Sequence, residues 1–426
     1  MKPQKLIKFI LFNFTIFNLV SCSSSGLVVS QLKNIEQSNQ TGSAPSVIWE
    51  PAPRPIAKGN DGQLLIRTSE SIKLLYAAHN NKGKQNLFIS GSKNIGDSFS
   101  KAKRVNSIED EVSAHGENGP KFRQGKGRGM FAAWIGNRDI KFARSMNFGR
   151  SFNSSIRVND DEGKASQSFF NMEVAPDGKV FIAWLDGRDK KLNLPGSSSI
   201  YIAMSADQGK SFSKNIKISG NICPCCRPAI AFGDNGEIFV SWRHVFEDHE
   251  RIIVVTSSLD GGKTWGNPVK VSETGWKING CAHSGPAMKY VDGKLFVTWY
   301  TGRNDKANLK FAYSLDKGKS FLKDKNIQGS VLDANHPNIT ILGKEAWVIF
   351  QGRDPNLEGG WSREKAWLVK ISTDGNTSKP SSLPTTDGGV FYPQLYKGNG
   401  GRVYAIWTDL GENGSKVILC RGRLSS

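Results

Sequence analysis

One eight-residue phrase occurs five times along this chain and constrains its fold more than any other feature. Each copy has Ser at its first position, Asp or Asn at its third, Gly at its fifth and an aromatic residue at its eighth. The copies are Ser92–Phe99, Ser145–Phe152, Ser205–Phe212, Ser258–Trp265 and Ser314–Phe321, at a spacing of 53 to 60 residues. A phrase repeated at this spacing is typical of a repeat architecture in which each unit is one small group of elements.

The residue types in the phrase predict a tight turn rather than a catalytic site. Ser, Asp and Asn side chains bond nearby backbone N–H groups and hold turns closed. Gly allows the positive φ that a hairpin needs, and the closing Phe or Trp can pack on its own hairpin. A calcium loop is not favoured, because each copy offers too few carboxylates.

Short apolar runs begin 14 to 24 residues before the copies of the phrase and have the composition of strands. They are Phe131–Trp134, Phe181–Trp184, Phe239–Trp242, Phe296–Trp299, Trp347–Phe350 and Tyr404–Trp407, with Leu75–Ala78 as a weaker first member. Second apolar runs follow, such as Ile200–Ala203, Ile252–Val255 and Leu309–Ala312. Regular turns without an amphipathic helix pattern predict an all-β fold. Units of this length predict β-propeller blades, seven by repeat count, with Val47–Trp49 as the outer strand of the last.

The N-terminal segment predicts export and lipid anchoring. Residues 1–21 have a basic start (Lys2, Lys5, Lys8) and an apolar stretch from Phe9 to Val20, the pattern of a signal peptide. Leu19–Cys22 resembles a bacterial lipobox, with Cys22 as the lipidated residue of the mature chain. Residues 22–46 are polar and rich in Gly, Ser, Asn and Gln, and they are predicted to be a tether. Residues 47–426 then form a single propeller domain at the outer membrane or the periplasmic face of the envelope.

The charge balance favours anionic partners. The chain has a formal net charge of +19 at pH 7, which suits acidic glycans or membrane surfaces. Nucleic acid is not expected, because the basic residues are scattered and the chain is exported. A basic, solvated surface without a partner explains the charge equally well. We expect a monomer.

The repeated phrase resembles the Asp-box of sialidases and related BNR-repeat propellers, S-x-D-x-G-x-x-[WF]. The resemblance covers about 370 residues and implies Asp-boxes on the turns between the third and fourth strands of each blade. Sialidase propellers have six blades, which is the alternative to seven here. In that family the active site lies on the face opposite the Asp-boxes.

The resemblance also implies candidate catalytic residues. Gly388–Leu395 is similar to the late sialidase segment that supplies a tyrosine nucleophile, here Tyr392. Asp160, Asp161 or Glu117 is the candidate acid, and Arg188, Arg227 and Arg303 are candidates for a carboxylate clamp. The Arg-Ile-Pro motif of sialidases is absent, since Arg54-Pro-Ile has another order. An aromatic cap on the central channel is an equally open role for Tyr392.

A cysteine cluster adds an alternative that ordinary sialidases do not need. Cys223, Cys225, Cys226, Cys281 and His283 lie in loops of two neighbouring units. Thiolate and imidazole ligands suit Zn²⁺ or copper, whereas an exported chain also allows disulfides. The sequence therefore predicts glycan recognition or hydrolysis, of exo-sialidase type if the protein is an enzyme. A metal-binding propeller and a binding scaffold without catalysis are the alternatives.

Overall fold

The structure is a computed structural model that describes residues 46–68, 70–190, 198–356, 363–411 and 414–425. The predicted signal peptide, Cys22 and most of the predicted tether lie outside the described residues. The described chain is all-β, with 3₁₀ turns at Gly116–Asn118, Glu247–His249 and Arg303–Asp305. No helix in this part of the chain has the length and apolar character that crossing a bilayer requires.

The strands follow one another in groups of four. The first are β1 (Val47–Trp49), β2 (Arg54–Lys58), β3 (Asn60–Thr68), β4 (Ser71–His79), β5 (Gln85–Ser92) and β6 (Lys103–Arg104). Next come β7 (Lys121–Gln124), β8 (Met130–Gly136), β9 (Asp139–Ser145), β10 (Ile156–Arg157), β11 (Gln167–Val174), β12 (Val180–Asp186), β13 (Ser198–Ser205) and β14 (Ile216–Ile222). The middle of the chain forms β15 (Ala229–Phe232), β16 (Ile238–Val245), β17 (Glu250–Ser258), β18 (Val269–Lys270) and β19 (Trp276–Lys277).

The last third of the chain continues the same pattern. Its strands are β20 (Ala287–Val291), β21 (Lys294–Thr301), β22 (Asn308–Ser314), β23 (Lys325–Asn326), β24 (Leu332–Leu342), β25 (Glu345–Arg353), β26 (Lys365–Ile371), β27 (Ser381–Ser382), β28 (Phe391–Lys397), β29 (Arg402–Gly411) and β30 (Gly414–Leu424). All the predicted apolar runs lie within these strands.

The strands pair as antiparallel meanders, in which each strand bonds to the next along the chain. The groups are β3–β6, β7–β10, β11–β14, β15–β18, β20–β23, β24–β27, and β28–β30 with β1 and β2. One residue pair, Ile222 with His244, joins the third and fourth groups into a nine-stranded sheet. The predicted pairing of Val47–Trp49 with the last group is confirmed, because β1 pairs with β30.

The predicted position of the apolar run in the first group is wrong by two residues. The first Ser of the repeated phrase pairs with Met130 in the second group and with Ile72 in the first. Tyr76 is therefore the counterpart of Trp134, and Lys73–Tyr76 is the true first member in place of Leu75–Ala78. The shift keeps the alternation of the strand, so the apolar pattern alone could not reveal it.

The core consists of apolar layers between consecutive groups of strands. On β12, Val180, Ile182 and Trp184 pack towards the second group, whereas Phe181, Ala183 and Leu185 pack towards the fourth. A strand that is buried on both faces has a continuous apolar sequence rather than an alternating one. The last group packs against the first in the same way, through Ile406 and Val417 against Leu64 and Leu74.

The first strand of each group contacts the first strand of the next. These contacts run through β3, β7, β11, β15, β20, β24 and β28, and β28 contacts β3 in turn. Within the described residues, none of the sheets closes on itself by hydrogen bonds. The first strands therefore surround a common central space, from which the other strands of each group extend outward.

Each copy of the repeated phrase holds a turn between the third and fourth strands of its group. In the third copy the Ser205 hydroxyl accepts the Gly209 N–H at 2.8 Å and donates to Asp207 at 2.8 Å. The Asp207 carboxylate in turn accepts the Ser211 N–H at 3.0 Å. The other four copies repeat the bond from the Gly N–H to the Ser hydroxyl. The Ser side chain and the Asp or Asn side chain of the phrase therefore stabilise the turn.

Ser205→Ala is expected to lower the free energy of unfolding by about 1 to 3 kcal/mol, because it leaves the buried Gly209 N–H without an acceptor. Ser205 is 1% exposed. Denaturant unfolding measures the change. Ser211→Ala, an exposed position in the same turn, is the matched control and is expected to cost much less. Equal costs for the two variants would contradict this role of the buried hydroxyl.

Candidate functional site

A cavity of about 390 Å³ lies between the first strands of the seven groups, each of which contributes to its lining. Its charged lining consists of Asp61, Glu117, Lys121, Arg123, Glu173, Arg227, Lys289 and Lys397. Five of these side chains are basic and three are acidic, so the cavity carries an excess of positive charge. His336, Tyr392 and Tyr396 add an imidazole and two phenols to the lining.

Equivalent positions at the start of the first strands carry unlike residues. By strand pairing these positions are Asp61, Gly119, Phe169, Arg227, Gly285, His336 and Tyr392. Because the strands alternate in direction, these positions lie at the end opposite the turns of the repeated phrase. Unlike side chains at equivalent positions give a repeated scaffold one asymmetric site.

Backbone bulges direct several of these side chains. Asp61, Phe169, His336 and Tyr392 have φ values of 53°, 46°, 49° and 54°, and each lies at a register shift in its strand. Non-glycine residues seldom adopt this left-handed conformation, and they occur in turns and cluster at functional sites. In two of the bulges the next residue is Pro337 or Pro393, which tolerates the local loss of a strand hydrogen bond.

Glu117 is the centre of the polar network at this end of the cavity. It lies on the 3₁₀ turn Gly116–Asn118 and is buried. Its carboxylate contacts His336 Nδ1 at 3.0 Å, the Gly285 N–H at 3.1 Å and Arg227 Nε at 3.4 Å. Burial alone would raise the pKa of Glu117, but Arg227, His336 and the Gly285 N–H outweigh it and hold the pKa at about 2. Glu117 is therefore ionised at neutral pH.

Tyr392 packs against His336 and beside Glu117. The two rings are 4.4 Å apart between centroids, and the Tyr392 N–H donates to Gln351 Oε1 at 2.8 Å. Burial, followed by the negative charges of Glu117 and Asp61, raises the pKa of Tyr392 to about 12. The phenol is therefore protonated at neutral pH. Tyr392 is part of the cavity lining.

Asp61 and Lys121 are two further buried groups that the sequence analysis did not single out. Asp61 accepts the Gly116 N–H at 3.1 Å, and Lys121 Nζ donates to the Gly119 carbonyl at 2.7 Å. Burial raises the pKa of Asp61 to about 6, although Lys121 opposes the shift. Burial, with the charge of Arg227 next, lowers the pKa of Lys121 to about 7. Both groups therefore titrate near neutral pH, where a proton donor or acceptor is most effective.

Of the predicted catalytic residues, the structure brings Tyr392, Arg227 and Glu117 together and places the other four elsewhere. None of Asp160, Asp161, Arg188 and Arg303 lines the cavity. Arg188 pairs with Asp160 at 2.7 Å and also with Asp186. Arg303 lies on the exposed 3₁₀ turn Arg303–Asp305 and donates to the Thr274 hydroxyl. Asp161 accepts the Asn159 and Gln167 amides and the Ala165 N–H. A clamp of three arginines around Tyr392 is therefore not formed by these residues, because Arg188 and Arg303 lie on outer turns.

The predicted cysteine cluster is assembled beside this site. Cys223 Sγ lies 3.7 Å from Cys225 Sγ and 3.4 Å from Cys226 Sγ, and all three residues are buried. Ligand atoms of Cys225, Cys281 and His283 form a second close group, of which Cys281 and His283 are exposed. All of these cysteines are free thiols in the structure. The first group packs against Phe169, a member of the ring of equivalent positions.

By sequence, no protein-family model and no curated protein matches the chain. Among solved structures, the BP39L lectin from Burkholderia pseudomallei is similar at 11% identity and a TM-score of 0.60, covering 85% of this chain and 96% of that one. A PL25 ulvan lyase bound to -[GlcA(1-4)Rha3S]- is similar at 12% identity and a TM-score of 0.52, covering 75% and 82%. The Hadza microbial sialidase Hz136 aligns at 14% identity and a TM-score of 0.48, covering 80% and 74%. The chain shares its fold with the lectin and the lyase.

Proposed function

We propose that the protein is an exported, lipid-anchored, seven-bladed β-propeller of sialidase-like type that binds acidic glycans in the cavity around Glu117, Arg227, His336 and Tyr392. The observation that carries this proposal is the central cavity itself, with its excess of basic side chains and its aromatic wall. The contacts between first strands, from β3 round to β28 and back, support seven blades. The turns of the repeated phrase lie at the opposite end of the strands, as Asp-boxes do.

The lining suits a sugar that carries a carboxylate. Arg227 Nε forms an ion pair with Glu117, and Nη1 donates a hydrogen bond to the Pro228 carbonyl. The Nη2 of Arg227 has no partner among the described residues. A guanidinium of this kind binds a carboxylate with charge-assisted hydrogen bonds. Aromatic rings such as Tyr392 provide the flat apolar surface on which a sugar ring packs. The similarity to a lectin and to a lyase bound to a uronic-acid polysaccharide agrees with this ligand class.

Binding is favoured over exo-sialidase chemistry by the state of Tyr392 and Glu117. A tyrosine nucleophile needs a base that lowers the cost of losing its proton. Glu117 is a weak base, because Arg227 and His336 hold its pKa at about 2. Hydrolysis is the second candidate, favoured by the convergence of Tyr392, Glu117 and Asp61 in one cavity.

A calorimetric titration with the full chain in detergent micelles tests the proposal. A glucuronate-containing disaccharide and sialyllactose are the acidic probes, and lactose is the neutral control. We expect saturable binding of at least one acidic probe and much weaker binding of lactose. Absence of binding by both acidic probes, or equal binding of lactose, would contradict acidic-glycan recognition.

Tyr392→Phe separates binding from hydrolysis. We expect the variant to fold and to keep most of its affinity for the acidic sugar, because the ring remains in place. If wild-type protein hydrolyses a sialoside through this tyrosine, the variant must lose turnover completely. Full hydrolytic activity in Tyr392→Phe would exclude Tyr392 as the nucleophile, and Tyr313→Phe, outside the cavity, is the matched control.

A further inference from the structure

The cysteine cluster has the geometry of a metal site. The three buried sulfurs of Cys223, Cys225 and Cys226 lie within 4.8 Å of one another, with two separations of 3.4 and 3.7 Å. Sulfurs that share one metal at a bond length of about 2.3 Å lie about 3.8 Å apart. The cluster therefore needs only small side-chain movements to hold an ion.

Two buried arginines beside the cluster have no carboxylate partner among the described residues. Arg243 is 1% exposed and Arg251 is 6% exposed. Arg251 Nη1 lies 3.0 Å from Cys223 Sγ, and Arg243 Nη2 bonds to the carbonyls of Ser284 and Tyr300. The Nε of each arginine is buried without a partner. Buried cations of this kind are stable only beside compensating negative charge, and thiolates are the groups placed to supply it.

The charge balance selects the ion. Three thiolates that hold a monovalent ion have two negative charges in excess, which the two guanidinium groups match. A divalent ion would leave one positive charge uncompensated in the buried site. Soft thiolate ligands select Cu(I). Among the described residues no fourth ligand atom lies within 4.8 Å of all three sulfurs, which suits Cu(I) better than Zn²⁺, because Zn²⁺ takes four ligands in structural sites.

We propose that Cys223, Cys225 and Cys226 form a Cu(I) site, and that the exposed Cys281 and His283 receive the ion and pass it inward through Cys225. Cys225 belongs to both groups of ligand atoms, one buried and one exposed. The single sulfur common to both groups gives an ion a route from solvent to the buried cluster. This site is separate from the proposed glycan site and does not depend on it.

Competition for Cu(I) with a chromophoric chelator, bathocuproine disulfonate, tests the assignment on the full chain in detergent micelles, reduced and kept anaerobic. We expect wild-type protein to withdraw one equivalent of Cu(I) from the chelator. Losing a residue that only bonds to a metal ligand costs 10- to 100-fold in metal affinity. Cys226 is itself a proposed ligand, so Cys226→Ser is expected to lower the affinity for Cu(I) at least about a hundredfold. Cys420→Ser is the matched control, because Cys420 is buried in another core layer, and it is expected to bind Cu(I) as wild type does.

His283→Ala keeps the test decisive if Cys226→Ser does not fold. His283 is exposed, and its loss is expected to slow Cu(I) uptake about tenfold or more at unchanged stoichiometry. Wild-type protein that withdraws no Cu(I), or that releases it to equimolar Zn²⁺, would overturn the proposal. Unchanged affinity in a folded Cys226→Ser variant, or an unchanged uptake rate in His283→Ala, would overturn it as well.

Discussion

Glu117→Gln is expected to lower the free energy of unfolding by about 3 to 5 kcal/mol at neutral pH, the cost of removing one partner from a buried ion pair. The variant keeps the shape of the side chain but leaves the half-buried Arg227 without its countercharge. It also removes the anion that faces His336 and replaces an acceptor of the Gly285 N–H with a weaker one. Denaturant unfolding of both proteins at pH 7 measures the difference.

The same substitution has a defined pH signature. The folded-state pKa of Glu117, about 2, lies below its ordinary value of 4.5. A lowered pKa contributes stability that is fully present above about pH 4.5 and is lost as the pH falls towards 2. The difference between wild type and Glu117→Gln should therefore shrink between pH 4.5 and pH 2. Glu173, whose pKa is also about 2 because Arg123 and Lys289 outweigh its burial, adds acid sensitivity to both proteins.

Glu345→Gln is the matched control for Glu117→Gln. Glu345 pairs with Lys370 at 3.4 Å, but both side chains are about one-third exposed. Exposed pairs of this kind contribute about 0 to 1 kcal/mol. A Glu117→Gln cost as small as this, or a cost that is the same at pH 7 and pH 3, would contradict the role of Glu117 as the ionised centre of the site.

Arg227→Lys is expected to weaken binding of the acidic saccharide by about 10- to 100-fold, because a charge-assisted hydrogen bond contributes about 1.5 to 3 kcal/mol. Lysine keeps the positive charge that Glu117 needs, so the fold is expected to survive. It loses the planar fork that can bond Glu117 and a ligand carboxylate at the same time. Calorimetric titration of the variant with the acidic probe gives the ratio of dissociation constants.

Arg188→Lys is the control for Arg227→Lys, since it makes the same chemical change outside the cavity. Arg188 is held by Asp160 and Asp186, and its replacement is expected to leave the affinity unchanged. Equal affinity of wild type and Arg227→Lys would remove Arg227 from the binding site. A loss in Arg188→Lys alone would move the site to the outer turns.

The fold was largely predictable from the sequence, because its signals are local and repeated. The phrase beginning at Ser205 uses its own side chains to close its turn, so residue types alone predict that turn. Runs such as Phe181–Trp184 are apolar throughout because both faces of β12 are buried. The first repeat was misplaced by two residues because Tyr76 stands where later units have Trp or Phe.

Part of the site was predictable from the sequence, which gave Tyr392, Arg227 and Glu117 as candidates. His336 and Tyr392 each precede a proline, but of the two only Tyr392 was predicted as a site residue. With the corrected position of the apolar run in the first group, Asp61 occupies the same position, but Gly62 follows it instead of a proline. Lys121 was missed because its burial depends on the packing of β7 against neighbouring strands, which no local pattern records. The cysteine cluster, by contrast, was visible as two short motifs.

A crystal structure of the protein with the tightest-binding acidic saccharide is the most direct test of the central claim. We predict that the sugar carboxylate lies within hydrogen-bond distance of the Arg227 guanidinium and that its ring packs near Tyr392. The buried Glu117 contacts to Arg227 and His336 should persist in the complex. A saccharide bound elsewhere, such as beside Arg188 and Asp160, with the cavity free of sugar at saturation, would contradict the account.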